Sequence, residues 1–523
     1  MAKHLPEMTA DSLQKIEHKG ILKWIEKAGN KLPDPFMLFI YLSMIVIAMS
    51  VLLAGNAVTH PADGKAIAVK SLLSTEGIHW MLTEAVNNFV QFPPLGLVLT
   101  MVLGIGLAER VGLIEAVLQK MMAHIPKAII SYSVVFVGIL GNLASDAAWV
   151  IIPPVGALIF MAAGRHPLAG FAAASAGVGS GFTANLMIAG TDALLSGITT
   201  KVAQTIDKNA HVSAVDNWFF MSASVFVLAF IGAWVTDKIV EPRLGSYRGE
   251  YQPEMAALTK KEIKALKGAG AAALLYAGII AILVVPEGAL LRDPENGSIL
   301  SSPFLKGIIP IILLFFITVS VVYGIMAGRI KDQADVPKLM GDSVKGMSGF
   351  IVLVFVISQF IAFFTWSNMG IFMAVKGADF LESIHLTGFP VLIGFSLLTC
   401  VVSLFITSGS ALWALLAPVF IPMLMLLDFH PAFIQIAYRI ADSATNTITP
   451  MNPYLPMLLA YYKRYKTDAG FGTVISTMIP YTVLFFLAWL LMMFIWYVFG
   501  WPIGPGSMQS KNNKGWEIWI LFK

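Results

Sequence analysis

The chain has 523 residues, of which 57% are hydrophobic and only 13% are charged, with a formal net charge of +4. Because soluble domains carry about 25% charged residues, this composition and a mean hydropathy of +0.76 exclude a water-soluble globular protein. The single cysteine, Cys400, lies in an apolar run, which excludes a disulfide framework and a thiolate metal cluster. The basic residues follow the loops, so the net charge does not indicate a nucleic-acid partner, and none is expected. No resident cofactor is expected either, since the sequence has no His, Cys and Asp cluster with metal-ligand spacing and no phosphate-binding loop motif.

The chain opens with a mixed-charge segment, residues 1–35, that lacks the apolar core of a signal peptide, so no cleaved leader is expected. A spanning helix needs about 20 apolar residues, and nine stretches are predicted to cross the membrane: 36–55, 94–108, 167–189, 218–235, 269–285, 307–327, 349–365, 431–456 and 473–499. Small polar residues interrupt two further apolar stretches, 128–163 and 388–427. Their short limbs favour re-entrant hairpins over full crossings, since irregular backbone at membrane depth is tolerated where protein surrounds it.

The distribution of Lys and Arg predicts the sidedness, because loops rich in these residues stay in the cytoplasm. With both interrupted stretches as hairpins and the N-terminus inside, the inside segments hold 24 Lys and Arg and the outside segments hold ten. The C-terminal tail is then periplasmic. One basic residue, Arg439, remains inside a span.

The two halves of the chain share a spaced pattern. Trp149 and Trp413 are each followed by a proline five residues on, by a His-Pro pair seventeen residues on, and by an asparagine, Asn185 or Asn446. The sidedness makes the first hairpin enter from the cytoplasm and the second from outside. The sequence therefore predicts an all-α polytopic membrane protein with about nine transmembrane helices and two re-entrant hairpins, built from two inverted repeats.

Both repeats are predicted to contain a broken helix, at Gly177–Gly181 and at Thr445–Pro450, where glycine, threonine and proline lower helix propensity. Unwound carbonyls and half-helix ends bind ions in secondary transporters. The predicted organisation is a cytoplasmic segment 1–35, a first repeat 36–235 with hairpin 128–163, a cytoplasmic loop 236–268, a second repeat 269–506 with hairpin 388–427, and a tail 507–523.

Several motifs resemble the p-aminobenzoyl-glutamate transporter (AbgT) family over residues 20–506. They are Gly-Arg-His-Pro at 164–167, Gly-Phe-Thr-Ala-Asn-Leu at 181–186, Thr-Asp-Ala-Leu-Leu-Ser-Gly at 191–197, Asp-Asn-Trp-Phe-Phe-Met at 216–221, Phe-Thr-Trp-Ser-Asn-Met-Gly at 364–370, Ala-Pro-Val-Phe-Ile-Pro-Met at 417–423 and Pro-Ile-Gly-Pro-Gly at 502–506. The resemblance implies a homodimer in the bacterial inner membrane that uses an Na⁺ or H⁺ gradient. It implies transport of p-aminobenzoyl-glutamate or export of sulfonamide antimetabolites, with functional residues at Asp192, Trp413, Pro431, Arg439, Asp442 and Pro450.

The candidate substrate site centres on Arg439, whose planar guanidinium suits bidentate binding of a carboxylate. Asp442 lies three residues on and shares its helix face, so a structural ion pair between the two is the alternative. Trp413 is expected to stack on an aminobenzoyl ring, with packing or lipid contact as the alternative. The candidate set is completed by Asp192, Pro431, Pro450 and Ser410. The alternatives are a polar residue at a span end for Asp192 and a helix cap for Ser410.

The candidate sites for the coupling Na⁺ or H⁺ are Asp442, two amides in the broken helices and two polar residues at the first hairpin tip: Asn185, Asn446, Ser145 and Asp146. Hard cations prefer carbonyl and carboxylate oxygens, whereas helix capping is the plain alternative for the hairpin residues. An intramembrane hydrolase using Ser145, Asp146 and His166 is an alternative function, but no nucleophile motif supports it. A passive channel is another alternative function. Two broken helices with buried charge favour alternating access over an open pore.

Overall fold

The computed structural model describes residues 33–59, 64–122, 126, 129–144, 146–247, 258–295, 297–299, 302–345, 347–450, 452, 454–466 and 469–510. Within these ranges the protein consists of helices and one pair of short strands. Eight of the described helical stretches are long and apolar enough to cross a membrane. Most of segment 1–35, residues 248–257 of the predicted cytoplasmic loop and residues 511–523 of the tail lie outside the described residues.

The first half begins with helices that are capped by local sequence signals. Asp34 accepts the Phe36 amide at the start of the first helix, and Ser74 accepts the Gly77 amide at the start of the second. Strands β1 (Ala57–Thr59) and β2 (Ala66–Ala68) pair antiparallel between these helices. The helices are α1 (Pro35–Leu52), α2 (Thr75–Val90), α3 (Pro93–Arg110) and α4 (Leu113–Met122).

The first interrupted stretch folds as two helices, α5 (Ile130–Leu140) and α6 (Asp146–Ala162), joined through a 3₁₀ turn at Gly141–Ala144. The first broken helix follows as α7 (Pro167–Gly179) and α8 (Gly190–Ala203). Helix α9 (Trp218–Val235) continues through a π-helical turn, Thr236–Val240, into the short α10 (Glu241–Leu244).

The second half repeats this plan after two long helices, residues 260–284 and 308–327, that pack on each other; the second of them also packs on α3. The hairpin consists of α17 (Phe389–Ser403) and α18 (Gly409–Leu426), and the second broken helix consists of α19 (Pro431–Thr445) and α20 (Leu455–Tyr465). The elements are α11 (Lys260–Val284), α12 (Pro303–Lys306), α13 (Ile308–Ala327), α14 (Asp335–Lys345), α15 (Ser348–Trp366), α16 (Met369–Ser383), α17 (Phe389–Ser403), α18 (Gly409–Leu426), α19 (Pro431–Thr445), α20 (Leu455–Tyr465) and α21 (Phe471–Phe499).

Each hairpin packs against the first half of its own broken helix: α5 and α6 against α7, and α17 and α18 against α19. Glycines make the first of these contacts close, because a Cβ on Gly177 would lie 2.5 Å from the Val135 carbonyl oxygen. Small residues let helix backbones approach in membrane proteins. Helix α18 also packs on α8, so the second hairpin contacts the first repeat.

The predicted fold class is confirmed, including the two broken helices: the helices that begin at Pro167 and Pro431 end at Gly179 and Thr445, within the predicted breaks. One difference is that the first repeat forms a helix again at Gly190 and stays helical to Ala203, beyond the predicted end of the span at residue 189. Helices α2, α14 and α16 were not predicted, because their charged residues keep them out of a search for long apolar runs.

Candidate functional site

The two helix breaks, residues 180–189 and 446–454, contact each other in the interior. The Ser180 hydroxyl is 2.7 Å from the Thr447 hydroxyl and donates to the Ala444 carbonyl oxygen at 3.1 Å. The Thr183 hydroxyl is 2.7 Å from the Ser443 hydroxyl. The unwound parts of both repeats therefore form one polar centre.

The same capping device begins both broken helices. Pro167 and Pro431 are the first helical residues, and the Nδ1 atoms of His166 and His430 each accept the amide two residues on, at 3.2 Å. Burial lowers the pKa of His166, so its imidazole is neutral at neutral pH and Nδ1 is available as an acceptor. The matched His-Pro pairs are thus equivalent in structure as well as in spacing.

Arg439 joins the two repeats by an ion pair. Its side chain is 1% exposed, and Nη2 lies 2.6 Å from Asp192 Oδ1. Nη2 also donates to the Thr183 carbonyl oxygen at 2.9 Å, and Nη1 donates to Asn217 Oδ1 at 3.3 Å. Nε is buried and has no hydrogen-bond partner among the residues that the structure describes. The partner of Arg439 is therefore the acid of the other repeat, whereas Asp442 was the partner considered from the sequence.

Asp192 has two roles at the start of α8. One carboxylate oxygen pairs with Arg439, and the other accepts the Ala189 amide at 2.7 Å. The second bond caps the helix at the end of the first break. Asp192 is therefore a polar residue at a helix end, as the alternative interpretation expects, and it also pairs with Arg439. Its role in transport stays a prediction.

A chain of buried side-chain hydrogen bonds continues from Arg439 to the second hairpin. Asn217 Oδ1 accepts from Gln435 Nε2 at 2.8 Å, and Gln435 Oε1 accepts from the Thr199 hydroxyl at 2.6 Å. That hydroxyl accepts from Trp413 Nε1 at 3.0 Å. These hydrogen bonds connect the ion pair to Trp413 of α18. A change in the pairing of Arg439 can therefore alter the orientation of Trp413, since members of a hydrogen-bonded network polarise and orient one another.

Trp413 is fully buried, and its ring centre lies 4.5 Å from that of Tyr438. In this conformation the indole therefore packs on a protein ring. Stacking on a substrate ring requires Tyr438 or the second hairpin to move, so that role stays a prediction.

Asp442 lies on the other side of Tyr438, beside the tip of the second hairpin. The Tyr438 hydroxyl donates to the Gly409 carbonyl oxygen at 2.5 Å and also contacts the Asp442 carboxylate. A Cβ on Gly409 would lie 3.0 Å from Asp442 Oδ2, so the glycine permits this close approach. Among the described residues, no basic side chain forms an ion pair with Asp442.

The remaining candidates are distributed around the two breaks. Asn185 is buried in the first break and donates weakly to the Thr183 carbonyl oxygen at 3.4 Å, and the half-buried Asn446 begins the second break. Pro450 lies in the second break, and the Ser410 hydroxyl is 3.1 Å from that of Ser408, the cap of α18. Their roles stay predictions. Ser145 and the side chain of Asp146 lie outside the described residues.

Each hairpin tip contacts the break of its own repeat. Asn142 Nδ2 donates to the Gly181 carbonyl oxygen at 3.3 Å in the first repeat. The Thr449 hydroxyl donates to the Leu404 carbonyl oxygen at 2.9 Å in the second. The tips therefore lie beside the breaks.

A cavity of about 350 Å³ reaches the first break from the side of α3 and α14. Asn142, Phe182 and Thr191 line its inner end, and Glu109 and Ser343 line the part between the two helices. The size lies in the range of small-molecule sites. Asn142 Oδ1 is buried and has no hydrogen-bond partner, so the inner end retains an unused acceptor.

Thr183, Thr199, Asn217 and Gln435 belong to the site but were not among the predicted residues. Gln435 lies four residues before Arg439, a spacing that places both on one helix face. Gln435 could therefore have been identified from the sequence, as a polar residue on the same helix face as an intramembrane charge. Thr199 and Asn217 come from elements distant in sequence, and only the fold brings them to Arg439.

Comparison with known proteins identifies the family. The family model ABG_transport, which describes AbgT transporters, matches residues 20–511. The chain belongs to the AbgT transporter family. An AbgT relative, the p-aminobenzoyl-glutamate transport protein of Escherichia coli strain K12, is 49% identical over 502 residues, covering 95% of this chain and 99% of the relative.

Two solved AbgT structures share the fold. The YdaH transporter of Alcanivorax borkumensis, noted for an unusual topology, has a TM-score of 0.87 at 37% identity and covers 90% of this chain and 100% of its own. Neisseria gonorrhoeae MtrF, described as illuminating a class of antimetabolite efflux pumps, has a TM-score of 0.88 at 42% identity, covering 93% and 100%. The chain is thus a multi-pass membrane transporter and not an enzyme, which excludes the hydrolase alternative.

Proposed function

We propose that this AbgT transporter carries p-aminobenzoyl-glutamate, or a related aromatic amino-acid conjugate, across the bacterial inner membrane at the expense of an Na⁺ or H⁺ gradient. The observation that carries the proposal is Arg439, a buried cation that bridges the two broken helices through Asp192. Intramembrane charges mark substrate and ion pathways. The 49% identity to the Escherichia coli relative supports the choice of substrate.

The ion pair allows Arg439 to bind an anionic substrate without leaving its buried charge unpaired. Arg439 is neutralised by Asp192, and its Nε has no partner. A substrate carboxylate that approaches Nε and one Nη can form the bidentate contact typical of arginine and displace Asp192. The exchange of one carboxylate for another avoids much of the cost of an unpaired buried charge.

Asp442 is proposed as the coupling group. It lies on the same helix as Arg439 but contacts Tyr438 and the second hairpin tip. A carboxylate without a basic partner at membrane depth is favoured by a bound cation or a proton. Occupation of Asp442 would change the contact between α19 and α18, and the buried hydrogen bonds from Trp413 to Arg439 link this contact to the substrate site.

Export of sulfonamide antimetabolites is the second candidate, favoured by the 42% identity to MtrF. A homodimer with its N-terminus in the cytoplasm and its C-terminus in the periplasm is part of the proposal. Labelling of single cysteines in a Cys400→Ala background tests the orientation. Glu295→Cys should react with an impermeant reagent added outside, and Ser246→Cys should react only after permeabilisation; the reverse pattern contradicts the orientation.

Transport by purified protein in liposomes tests the function. Inward gradients of Na⁺ and of protons, imposed separately, should show that one of them drives accumulation of p-aminobenzoyl-glutamate. A labelled sulfonamide in the same liposomes distinguishes the second candidate. Arg439→Ala should remove the flux and the exposed Arg243→Ala should not; equal flux without any gradient would mean a passive channel.

A further inference from the structure

A second cavity, of about 370 Å³, also borders the first break, at Asn185, Leu186 and Met187. Helices α4, α11 and α13 form its walls, and the hairpin residues Leu140 and Leu143 form its inner end. Apart from Asn185, every lining residue is apolar or a glycine. A cavity with this lining binds apolar groups and does not hold water stably.

The cavity opens toward the lipid along α11. Gly270 lines the cavity, is exposed, and has no atom within 4 Å of where its Cβ would lie. On the same helix Leu274 and Leu275 are 77% and 68% exposed. Side chains of this kind on a spanning helix face acyl chains, so the mouth of the cavity is at hydrocarbon depth.

Basic residues mark the helix end nearest the cavity. Lys260, Lys261, Lys264 and Lys267 occupy the first two turns of α11, and all four are exposed. The lining residues Leu266–Ala273 begin roughly 9 Å further along the helix axis than Lys260 and extend over roughly 10 Å. Clusters of four or more basic residues at the end of a spanning helix attract anionic lipid headgroups.

We propose that this cavity binds one acyl chain of an anionic phospholipid whose headgroup contacts the lysines of α11. The apolar lining, the opening at hydrocarbon depth and the positive charge at headgroup level fit this molecule together. The p-aminobenzoyl-glutamate anion does not fit, because its two carboxylates would enter a lining with a single amide. A lipid here lies between α11 and the first hairpin, against Leu186 and Met187 of the first break.

Two variants of the same helix test the site. Gly270→Phe fills the cavity, whereas Gly278→Phe places the same side chain where there is also no atom within 4 Å but outside the lining. The protein is delipidated, incubated with defined amounts of phosphatidylglycerol or phosphatidylethanolamine, and the bound lipid is counted by native mass spectrometry. Size-exclusion chromatography with light scattering monitors the oligomeric state.

Wild type and Gly278→Phe should retain phosphatidylglycerol in preference to phosphatidylethanolamine. Gly270→Phe should retain it roughly tenfold less well, the effect of losing burial of about two methylene groups. Lys264→Gln with Lys267→Gln should reduce the preference for phosphatidylglycerol and leave phosphatidylethanolamine binding unchanged.

Equal lipid retention by the two phenylalanine variants would overturn the proposal. If Gly270→Phe loses its dimers but binds lipid unchanged, the opening of the cavity at Gly270 lies in an interface between two copies of the chain, and the lipid proposal is wrong. Displacement of the lipid by p-aminobenzoyl-glutamate would assign the cavity to the substrate and equally refute a lipid site.

Discussion

The two helix breaks are built alike but differ in how their acidic residue is paired. Each follows a helix that begins at a His-Pro cap, and each contacts a re-entrant hairpin. At the first break the acid, Asp192, is paired with Arg439 of the other repeat. Near the second break the acid, Asp442, contacts the Tyr438 hydroxyl and the hairpin tip, and it has no basic partner among the described residues. The comparison indicates that the two repeats share a scaffold but differ in how their acidic residue is paired, which is why we propose different roles for Asp192 and Asp442.

The largest expected effect is at the ion pair. Arg439→Ala should weaken binding of p-aminobenzoyl-glutamate about 100-fold, because losing one partner of a buried, hydrogen-bonded charge pair between protein and ligand costs about 2–5 kcal/mol of binding free energy. Arg439→Lys should recover little, since an ammonium lacks the bidentate geometry. Isothermal titration on variants that remain monodisperse measures both, and wild-type affinity in Arg439→Ala would remove the pair from the substrate site.

Asp192→Asn tests the same pair from the side of the acid. The amide retains an oxygen to accept the Ala189 amide but leaves the Arg439 charge unneutralised. The melting temperature should fall without substrate and recover with saturating substrate, whose carboxylate replaces the lost partner. A variant that melts like wild type, or that substrate fails to restore, would show that the substrate does not take the place of Asp192.

Asp442→Asn is expected to have a smaller effect on binding, with affinity for the substrate within about tenfold of wild type. Its dependence on Na⁺ or on pH should be lost, because the amide neither titrates nor attracts a cation as strongly. Titration of substrate at several Na⁺ concentrations and pH values measures this dependence. Unchanged ion dependence would mean that the coupling ion binds elsewhere.

The smallest effect is expected at the two caps. His166→Ala and His430→Ala each remove one acceptor at a helix start and should each cost about 1 kcal/mol of stability. Similar shifts in melting temperature would support the equivalence of the two repeats. A large loss in only one of them would show that the caps are not equivalent.

Much of the fold was predictable because apolar length, breaks and positive charge are local properties of the sequence. The His-Pro spacing predicted the repeat, and the structure places both histidines in the same cap. Arg439 was recognisable as a candidate because it is a charge within an apolar span. Its partner was not, since helix spacing favours Asp442 three residues away, whereas Asp192 reaches Arg439 only through the contact of the two breaks.

The central claim is that the Arg439–Asp192 pair belongs to the substrate site whereas Asp442 is the coupling group. One assay tests it directly. Proteoliposomes containing wild type, Arg439→Ala or Asp442→Asn are assayed for substrate exchange at equal concentrations and for accumulation driven by an imposed ion gradient. Arg439→Ala should lose both activities, and Asp442→Asn should keep exchange while losing gradient-driven accumulation. Exchange at the wild-type rate by Arg439→Ala, or accumulation at the wild-type rate by Asp442→Asn, would contradict the account.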